Sequence, residues 1–190
     1  MKIVFATGNP HKLQEINEIS KGSGIEFVLP KEGFNPIENG STFEENSLIK
    51  AKEACRVSKM MSLADDSGLC VEALNGAPGL FSARYAGTQQ EKINKILKEL
   101  EPYSNRKAKF VCVMTLLDEN GEILHVSTGE CKGEMAKSQS GKNGFGYDPI
   151  FIVDGTNLTM ADMSEDEKNK ISHRAKALSD MLYYINSNLK

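Results

Sequence analysis

The stretch FVCVMTLLDENGEILHVSTGEC, residues 110–131, decides the class of fold. Residues 110–117 form a nearly unbroken run of β-favouring side chains, which is typical of a strand buried at the centre of a sheet. Asn120-Gly121 is the strongest short hairpin signal in the chain, and residues 122–131 supply the partner strand. At least one strand pair of the sheet is therefore predicted to be antiparallel.

Strands and helices alternate along the rest of the chain. Residues 3–6 are an apolar run that predicts a buried strand, and Asn9-Pro10 is a favourable helix opening. Further helix starts are predicted at capping-box pairs, namely Thr42 with Glu45, Thr88 with Glu91, and Ser164 with Glu167. Helices interleaved with a sheet that contains an antiparallel pair predict a mixed α/β fold with helices on its faces.

The composition is that of an ordinary globular protein. Of its 190 residues, 39% are hydrophobic and 26% are charged, and no linker or repeat divides them, so one domain over residues 1–190 is expected. The net charge of −3 gives no basic footprint for a nucleic-acid partner. No apolar run approaches membrane length. The four cysteines form no CxxC pair, which favours reduced thiols in a cytoplasmic protein.

Residues 7–12, TGNPHK, lie where the first strand meets the first helix. Such a junction directs backbone N–H groups and the positive end of the helix toward one point, where an anion binds. Gly8 allows a ligand to approach the backbone closely, and Lys12 adds a positive charge one turn into the helix. Many α/β proteins have this junction without a ligand, so a plain helix start is the alternative.

Two aspartates, Asp65 and Asp66, stand side by side in a segment that is predicted to break at Ser67-Gly68. Adjacent carboxylates repel each other unless a cation or a proton intervenes. Mg²⁺ would remove the repulsion, with substrate phosphates completing its coordination. If the two residues lie on a strand, their side chains point to opposite faces, and both need not reach one ion. A solvated turn is the alternative.

Glu38 is a third carboxylate candidate for binding the metal. It lies in a loop between Pro36 and Gly40, where no folding role is evident for its side chain. Glu45, by contrast, has a capping role, and Glu44 is expected on a solvated helix face. Glu38 is therefore the better candidate of the three.

The loop GFGYDP, residues 144–149, places two aromatic side chains between glycines. Aromatic faces stack on nucleobases, and Phe145 is the better stacking candidate, whereas packing in the core is an equal alternative for Tyr147. Downstream, hydrogen-bond donors are available from Lys168, His173 and Arg174. Together with phosphate donors and carboxylates, these groups indicate a metal-dependent enzyme that acts on a nucleoside triphosphate.

Five segments resemble, in order and spacing, the motifs of the RdgB/HAM1 family of inosine triphosphate pyrophosphatases. They are TGNPHK (7–12), FEENSLIKA (43–51), LADDSGLCVEALNGAPGLFSARYAG (63–87), GFGYDPIF (144–151) and EKNKISHRAKAL (167–178). The resemblance implies hydrolysis of the non-canonical purine nucleotides ITP, dITP and XTP to the monophosphate and pyrophosphate. It also implies a Mg²⁺ cofactor, a homodimer, and an elongated mixed α/β fold of the ITPase/Maf type, with the active site in a cleft between two lobes.

The resemblance further implies roles for individual residues. Those implied to bind the triphosphate are Thr7, Gly8, Asn9, Pro10, His11 and Lys12. The implied catalytic carboxylate and metal ligand is Asp66, with Glu38 and Asp65 as further metal ligands and Ser67 against the substrate. The residues implied to surround the base side of the nucleotide are Phe145, Gly146, Tyr147, Asp148, Lys168, His173 and Arg174, the last two near the base edge. One departure from the family is Lys142-Asn143-Gly144, which stands where a glycine pair is common.

Two other functions compete with this one. A Maf-like pyrophosphatase would share the general fold and prefer other nucleotides, but the SHR and FGYD motifs argue against it. A nucleotide sensor without catalysis could retain TGNPHK and the aromatic loop, yet it would have little use for Asp65-Asp66. Dependence of activity on a metal distinguishes the enzyme from the sensor.

Overall fold

The computed structural model describes residues 1–189, and at position 11 it describes the backbone alone. Within residues 1–189, six strands form one sheet in the order β2-β1-β3-β4-β5-β6. The strands are β1 (Lys2–Phe5), β2 (Glu26–Val28), β3 (Ser62–Val71), β4 (Lys107–Leu117), β5 (Ile123–Met135) and β6 (Phe151–Val153). β1 is parallel to both β2 and β3, whereas β6 is antiparallel to β5. The predicted mixed sheet is confirmed.

The predicted hairpin joins β4 to β5. Asp118 and Glu122 close it, because the N–H of Asp118 donates to the carbonyl of Glu122 at 3.0 Å. Gly121 has a φ of +88°, a left-handed conformation that glycine adopts without steric cost. The Asn120-Gly121 pair thus provides the tight reversal that places β4 and β5 side by side.

Five α-helices accompany the sheet in the described part of the chain. They are α1 (Pro10–Ile19), α2 (Phe43–Ser58), α3 (Gln89–Glu99), α4 (Glu165–Ile171) and α5 (His173–Asn188). The reciprocal capping boxes predicted for α3 and α4 are both present. At α2, the Thr42 hydroxyl accepts from the N–H of Glu45, while the Glu45 carboxylate accepts from the N–H and hydroxyl of Ser41.

The predicted break at Ser67-Gly68 is wrong, because β3 runs without interruption through both aspartates. Apolar side chains on either side of the break, including Leu63 and Leu69, are fully buried. Ser and Gly have a low propensity for strands. Pairing with the neighbouring strands and burial of these apolar side chains override that low propensity. Asp65 and Asp66 therefore lie inside a strand rather than in a turn.

The chain divides into two compact units, in agreement with the two lobes implied by the resemblance. Unit 1 comprises Met1–Asp66, Cys112–Gly129 and Arg174–Lys190, and unit 2 comprises Ser67–Val111 and Glu130–His173. The largest apolar cluster of unit 1 packs side chains of β1, β3 and β4 against α1 and α5. The core of unit 2 packs α3 against the remaining parts of β3, β4 and β5. Each unit has its own core.

The cysteines agree with the sequence expectation. All four are free thiols, and Cys55, Cys112 and Cys131 are buried while Cys70 is half-buried. Burial raises the pKa of the Cys112 thiol to about 12, so this group stays neutral at physiological pH. Separately, none of the described helices combines the length and the apolar character that crossing a membrane requires.

Candidate active site

The segment TGNPHK forms the predicted junction between β1 and α1. Thr7 is buried, and its hydroxyl accepts a hydrogen bond from the N–H of Asn9 at 3.0 Å, which closes a tight turn before the helix begins at Pro10. A Cβ atom added at Gly8 would meet no other atom within 4 Å. Packing within the fold therefore does not require glycine at this position. The predicted role of the His11 side chain lies outside the described part of the structure.

Asp65 is the centre of a buried ion network in unit 1. Only 1% of its surface is exposed. The ammonium of Lys12 lies 3.1 Å from both carboxylate oxygens, and the Nε and Nη2 atoms of Arg174 donate to Oδ2 at 3.3 and 3.1 Å. Asp65 thus fixes a lysine of the TGNPHK segment and the arginine that follows His173 in the chain.

The guanidinium of Arg174 is fully buried and has a second carboxylate partner. Its Nη1 donates to Oε2 of Glu15 at 2.7 Å. Glu15 lies on α1 three residues after Lys12, so both residues face the network from the same side of the helix. The N–H groups that bind Asp65 and Glu15 hold this arginine in a fixed orientation.

Asp66 points to the other face of β3, where it meets Lys50 of α2. The Lys50 ammonium lies 3.0 Å from Oδ1 of Asp66 and 3.1 Å from Oε2 of Glu38. Glu38, which the sequence selects as a carboxylate without a folding role, is thus next to the predicted catalytic aspartate. Two carboxylates converge on one positive charge at this position.

The charged side chains around Asp65 and those around Asp66 together carry no surplus positive charge that could bind a triphosphate. The cations are Lys12, Lys50 and Arg174, and the anions are Glu15, Glu38, Asp65 and Asp66. A polyanionic ligand at this place requires additional positive charge, which a divalent cation supplies. Among the described side chains, no three His, Cys, Asp or Glu residues gather into a group that could hold a metal. Mg²⁺ commonly needs one or two carboxylates together with substrate phosphates, and Asp66 and Glu38 fit that requirement.

The two adjacent aspartates have opposite electrostatic environments. Burial alone would raise the pKa of Asp65, but the charges of Lys12, Arg174 and Lys50 outweigh it and hold that pKa well below its usual range. Burial also raises the pKa of Asp66, and there the ion pair with Lys50 offsets it only partly. Asp65 is therefore a permanent anion, whereas Asp66 is the more basic carboxylate.

The loop of residues 144–149 belongs to unit 2 and presents Phe145. This side chain is 44% exposed, and the Lys168 ammonium lies 4.5 Å from the centre of its ring. Tyr147 is buried in the core of unit 2, where its hydroxyl donates to the carbonyl of Ser82 at 2.8 Å. The two aromatics therefore differ, because Phe145 is partly exposed and Tyr147 is packed inside.

Asp148 organises this loop from a buried position. Its Oδ2 accepts from the backbone N–H of Phe145 at 2.8 Å and from the Lys168 ammonium at 2.7 Å. Lys168 is buried as well, so the pair is shielded from solvent. Gly144, with a φ of +72°, allows the close approach, because a Cβ atom there would lie 2.1 Å from Oδ2 of Asp148.

His173 and Ser67 are the remaining predicted site residues of unit 2. The His173 ring is buried and stacks on the ring of Phe110, with a centroid distance of 4.9 Å and an angle of 13° between the planes. Stacking on Phe110 fixes the ring plane and hence the directions of both ring nitrogens. Ser67 is half-buried on β3, directly after Asp66.

Comparison with known proteins decides the family. The sequence model described as the Ham1 family matches residues 3–184. The chain belongs to the Ham1 family. Two relatives named dITP/XTP pyrophosphatase come from Treponema denticola and Synechocystis sp. The first is 47% identical over 97% of this chain and 98% of that protein, and the second is 42% identical over 95% and 93%. The solved structure of a HAM1 protein from Coxiella burnetii has a TM-score of 0.90 at 44% identity, covering 98% of this chain and 99% of that one.

Sequence reasoning missed two charged residues of this Ham1 family member. Lys50 and Glu15 were not selected, although both contact the predicted site residues. A signal for Lys50 exists, because it falls on the buried face of α2, at the spacing of Asn46 and Ala54. A lysine at such a position needs a buried anionic partner. Glu15 carries no comparable signal, because most described side chains of α1 are only half-buried.

Replacing Gly144 by alanine should disturb the aromatic loop of this Ham1 family member. The new Cβ would clash with Asp148 in addition to the strain of a positive φ. We expect a higher KM for dITP and a lower melting temperature. Gly155→Ala is the matched control, since Gly155 has a similar φ of +78°, no atom within 4 Å of the added Cβ, and a position outside the aromatic loop. Equal effects of the two substitutions on KM would show that the contact with Asp148 does not matter.

Proposed function

We propose that this protein hydrolyses the non-canonical purine nucleotides dITP, ITP and XTP to the nucleoside monophosphate and pyrophosphate. Relatives that carry the name dITP/XTP pyrophosphatase align with nearly the whole chain at 42 and 47% identity. The observation that carries the chemistry is the pair Asp65-Asp66, whose environments drive their pKa values apart. Two carboxylates separated in this way take different roles in catalysis.

In the proposed reaction, a water molecule attacks the α-phosphorus of the nucleotide. Asp66 accepts a proton from that water, and the bond from the α-phosphorus to the bridging oxygen breaks. Pyrophosphate leaves with the electron pair of that bond. Asp66 contacts Lys50 through Oδ1, and of the two adjacent carboxylates it is the one proposed to accept the proton. Asp65 does not take part in proton transfer, because its oxygens are committed to Lys12 and Arg174.

The proposed metal is Mg²⁺, held by Asp66 and Glu38 together with substrate phosphates. Bound there, it would neutralise charge on the phosphates and on the leaving pyrophosphate. Asp65 was a third candidate ligand from the sequence, and its contacts with two cations favour a role in holding Lys12 and Arg174 instead. Lys50 keeps the two carboxylates of Asp66 and Glu38 facing the same point.

The TGNPHK segment is proposed to bind the triphosphate, which all nucleotides share. Backbone N–H groups at the start of α1 and the ammonium of Lys12 supply donors for phosphate oxygens. Lys12 can serve both Asp65 and a phosphate, because an ammonium has three donors and 22% of this side chain is exposed. Gly8 leaves the space that a phosphate needs against the backbone.

Selection of the base is proposed to rest with unit 2. Phe145 offers an exposed ring for stacking, and its cation contact with Lys168 holds the ring in place. Gly146, Tyr147 and Asp148 shape the loop around it.

Hypoxanthine and xanthine have a 6-oxo acceptor where adenine has a 6-amino donor. A fixed donor on His173 suits the oxo group, whereas the neighbouring Arg174 belongs to unit 1 and its guanidinium is held by Asp65 and Glu15. An unpaired buried donor costs about 1–3 kcal/mol, roughly 5- to 150-fold in rate.

Three further properties are part of the proposal. The protein acts as one domain over residues 1–190, it forms a homodimer, and it works in the cytoplasm. None of the four cysteines forms a disulfide, which suits a compartment where thiols are kept reduced. The net charge of −3 gives no support to a nucleic-acid partner.

The position of the cleaved bond tests the proposed reaction. Hydrolysis of dITP in water enriched in ¹⁸O should place the label in the monophosphate, because water attacks the α-phosphorus. Mass spectrometry of both products detects the label. Label in pyrophosphate, or release of orthophosphate in place of pyrophosphate, would contradict the proposed reaction.

A further inference from the structure

The first turn of α2 contains a buried amide that the proposed reaction does not use. Asn46 is 2% exposed and lies four residues before Lys50, so both side chains project from the same face of the helix. Its Oδ1 accepts a hydrogen bond from the backbone N–H of Gly40 at 2.8 Å. Asn46 thereby fixes the path of the loop that leads into α2.

The contact between this loop and the helix leaves no space for a side chain. A Cβ atom added at Gly40 would lie 2.7 Å from Oδ1 of Asn46 and 2.7 Å from Cβ of Glu45. Only glycine therefore permits the hydrogen bond at this distance. This contact holds the loop two residues after Glu38.

α2 thus holds the segment of residues 38–40 at both ends. The Lys50 ammonium contacts the carboxylate of Glu38, and Asn46 binds the amide of Gly40. We propose that Asn46 is a positioning residue, which directs the Glu38 carboxylate toward Asp66 so that the two can share a divalent cation. This inference rests on the proposed function, in which Glu38 is a metal ligand.

The test compares binding of a substrate analogue with and without metal. The probe is α,β-imido-dITP, which resists cleavage at the proposed bond, and its dissociation constant is measured by calorimetry with and without Mn²⁺. For Asn46→Ala, affinity in Mn²⁺ is expected to fall about tenfold or more, because removing a group that orients a metal ligand costs about 10–100-fold. Affinity without Mn²⁺ should be unchanged. An equal loss under both conditions would overturn the positioning role.

Gly40→Ala disrupts the same hydrogen bond from the loop side, and it replaces Asn46→Ala in the test if that variant fails to fold. It should cause the same metal-dependent loss, because the added Cβ pushes the loop away from Asn46. The amide hydrogen of Gly40 gives a readout without any ligand. It should exchange slowly in the wild-type protein and faster in Asn46→Ala, and an unchanged exchange rate would contradict the inference.

Ser47→Ala is the matched control for general damage to α2. Ser47 is fully buried, its hydroxyl lies 2.6 Å from the hydroxyl of Thr115 and donates to the carbonyl of Glu44 at 2.9 Å, and neither of these partners lies in the loop. This variant loses a buried hydrogen bond from the same helix and should retain the effect of Mn²⁺ on analogue binding. If it loses that effect as fully as Asn46→Ala does, the loss reflects destabilisation and the proposal is wrong.

Glu38→Gln and the double variant Glu38→Gln/Asn46→Ala complete the cycle. If Asn46 acts through Glu38, the double variant should bind the analogue in Mn²⁺ no more weakly than Glu38→Gln alone. Additive losses would show that Asn46 acts elsewhere.

A wild-type protein that cannot release pyrophosphate from dITP contradicts the proposed function. A wild-type protein that does so, with Glu38→Gln impaired and Asn46→Ala intact, contradicts the positioning role alone.

Discussion

Asp66→Asn should release pyrophosphate from dITP about 10²- to 10⁴-fold more slowly than the wild-type protein, since this is the usual contribution of a positioned proton acceptor. Asparagine has nearly the same shape as aspartate but accepts no proton at physiological pH. The TGNPHK segment and Phe145 are untouched by the change, so binding of the nucleotide should be largely retained. The measurements are the rate of pyrophosphate release and the dissociation constant of α,β-imido-dITP without metal.

Asp180→Asn is a suitable control for the loss of one negative charge. Asp180 lies on α5 in the same unit, its side chain is 55% exposed, and it pairs with His125. Its replacement should leave the rate of pyrophosphate release unchanged. An Asp66→Asn protein with wild-type activity would remove Asp66 from the catalytic role.

Asp65→Asn should have a different effect, a large loss of stability. The substitution leaves the half-buried Lys12 and the buried Arg174 without their shared carboxylate, although Arg174 keeps its contact with Glu15. Breaking a buried ion pair by removing one partner costs about 3–5 kcal/mol, because a charge remains buried and uncompensated. Urea unfolding at pH 7 measures the difference. The partly exposed pair of Lys109 and Glu130 provides the control, and Glu130→Gln should cost no more than about 1 kcal/mol.

The destabilisation of Asp65→Asn should depend on pH in a defined direction. Because the folded-state pKa of Asp65 is lowered, its stabilising contribution is fully present above the unfolded-state pKa, about 3.9, and declines as the pH falls below it. The stability curves of the wild-type protein and the variant should therefore run parallel from pH 8 to about pH 5 and converge below about pH 4. A gap that stays constant down to pH 3 would show that the ionised carboxylate of Asp65 is not the source of the stability.

Local sequence signals were sufficient for most elements of the fold. Asn120-Gly121 predicted the hairpin, and two capping-box pairs predicted the starts of α3 and α4. The continuity of β3 could not be predicted, because it depends on the strands that flank it and on burial of Leu63 and Leu69. These contacts come from residues far away in the chain, so no local window of the sequence contains them.

Part of the candidate site could likewise be predicted from the sequence, and part depends on contacts between distant residues. Residue types and motifs selected Asp66, Glu38 and Phe145, and the structure places Glu38 beside Asp66 around one lysine. The difference between Asp65 and Asp66 was not accessible from the sequence, because it is set by which cations face each side of β3. Lys12 is 53 positions from Asp65, and Arg174 is 109 positions away. Only folding brings those charges together.

The central claim is that the protein selects non-canonical purine triphosphates, and rates on a panel of nucleotides test it most directly. Purified protein with Mg²⁺ is given dITP, ITP, XTP, GTP and ATP separately, and pyrophosphate release is followed at subsaturating substrate to obtain kcat/KM for each. We expect the first three to be hydrolysed far faster than GTP and ATP. Equal kcat/KM values across the panel would contradict the proposed selection.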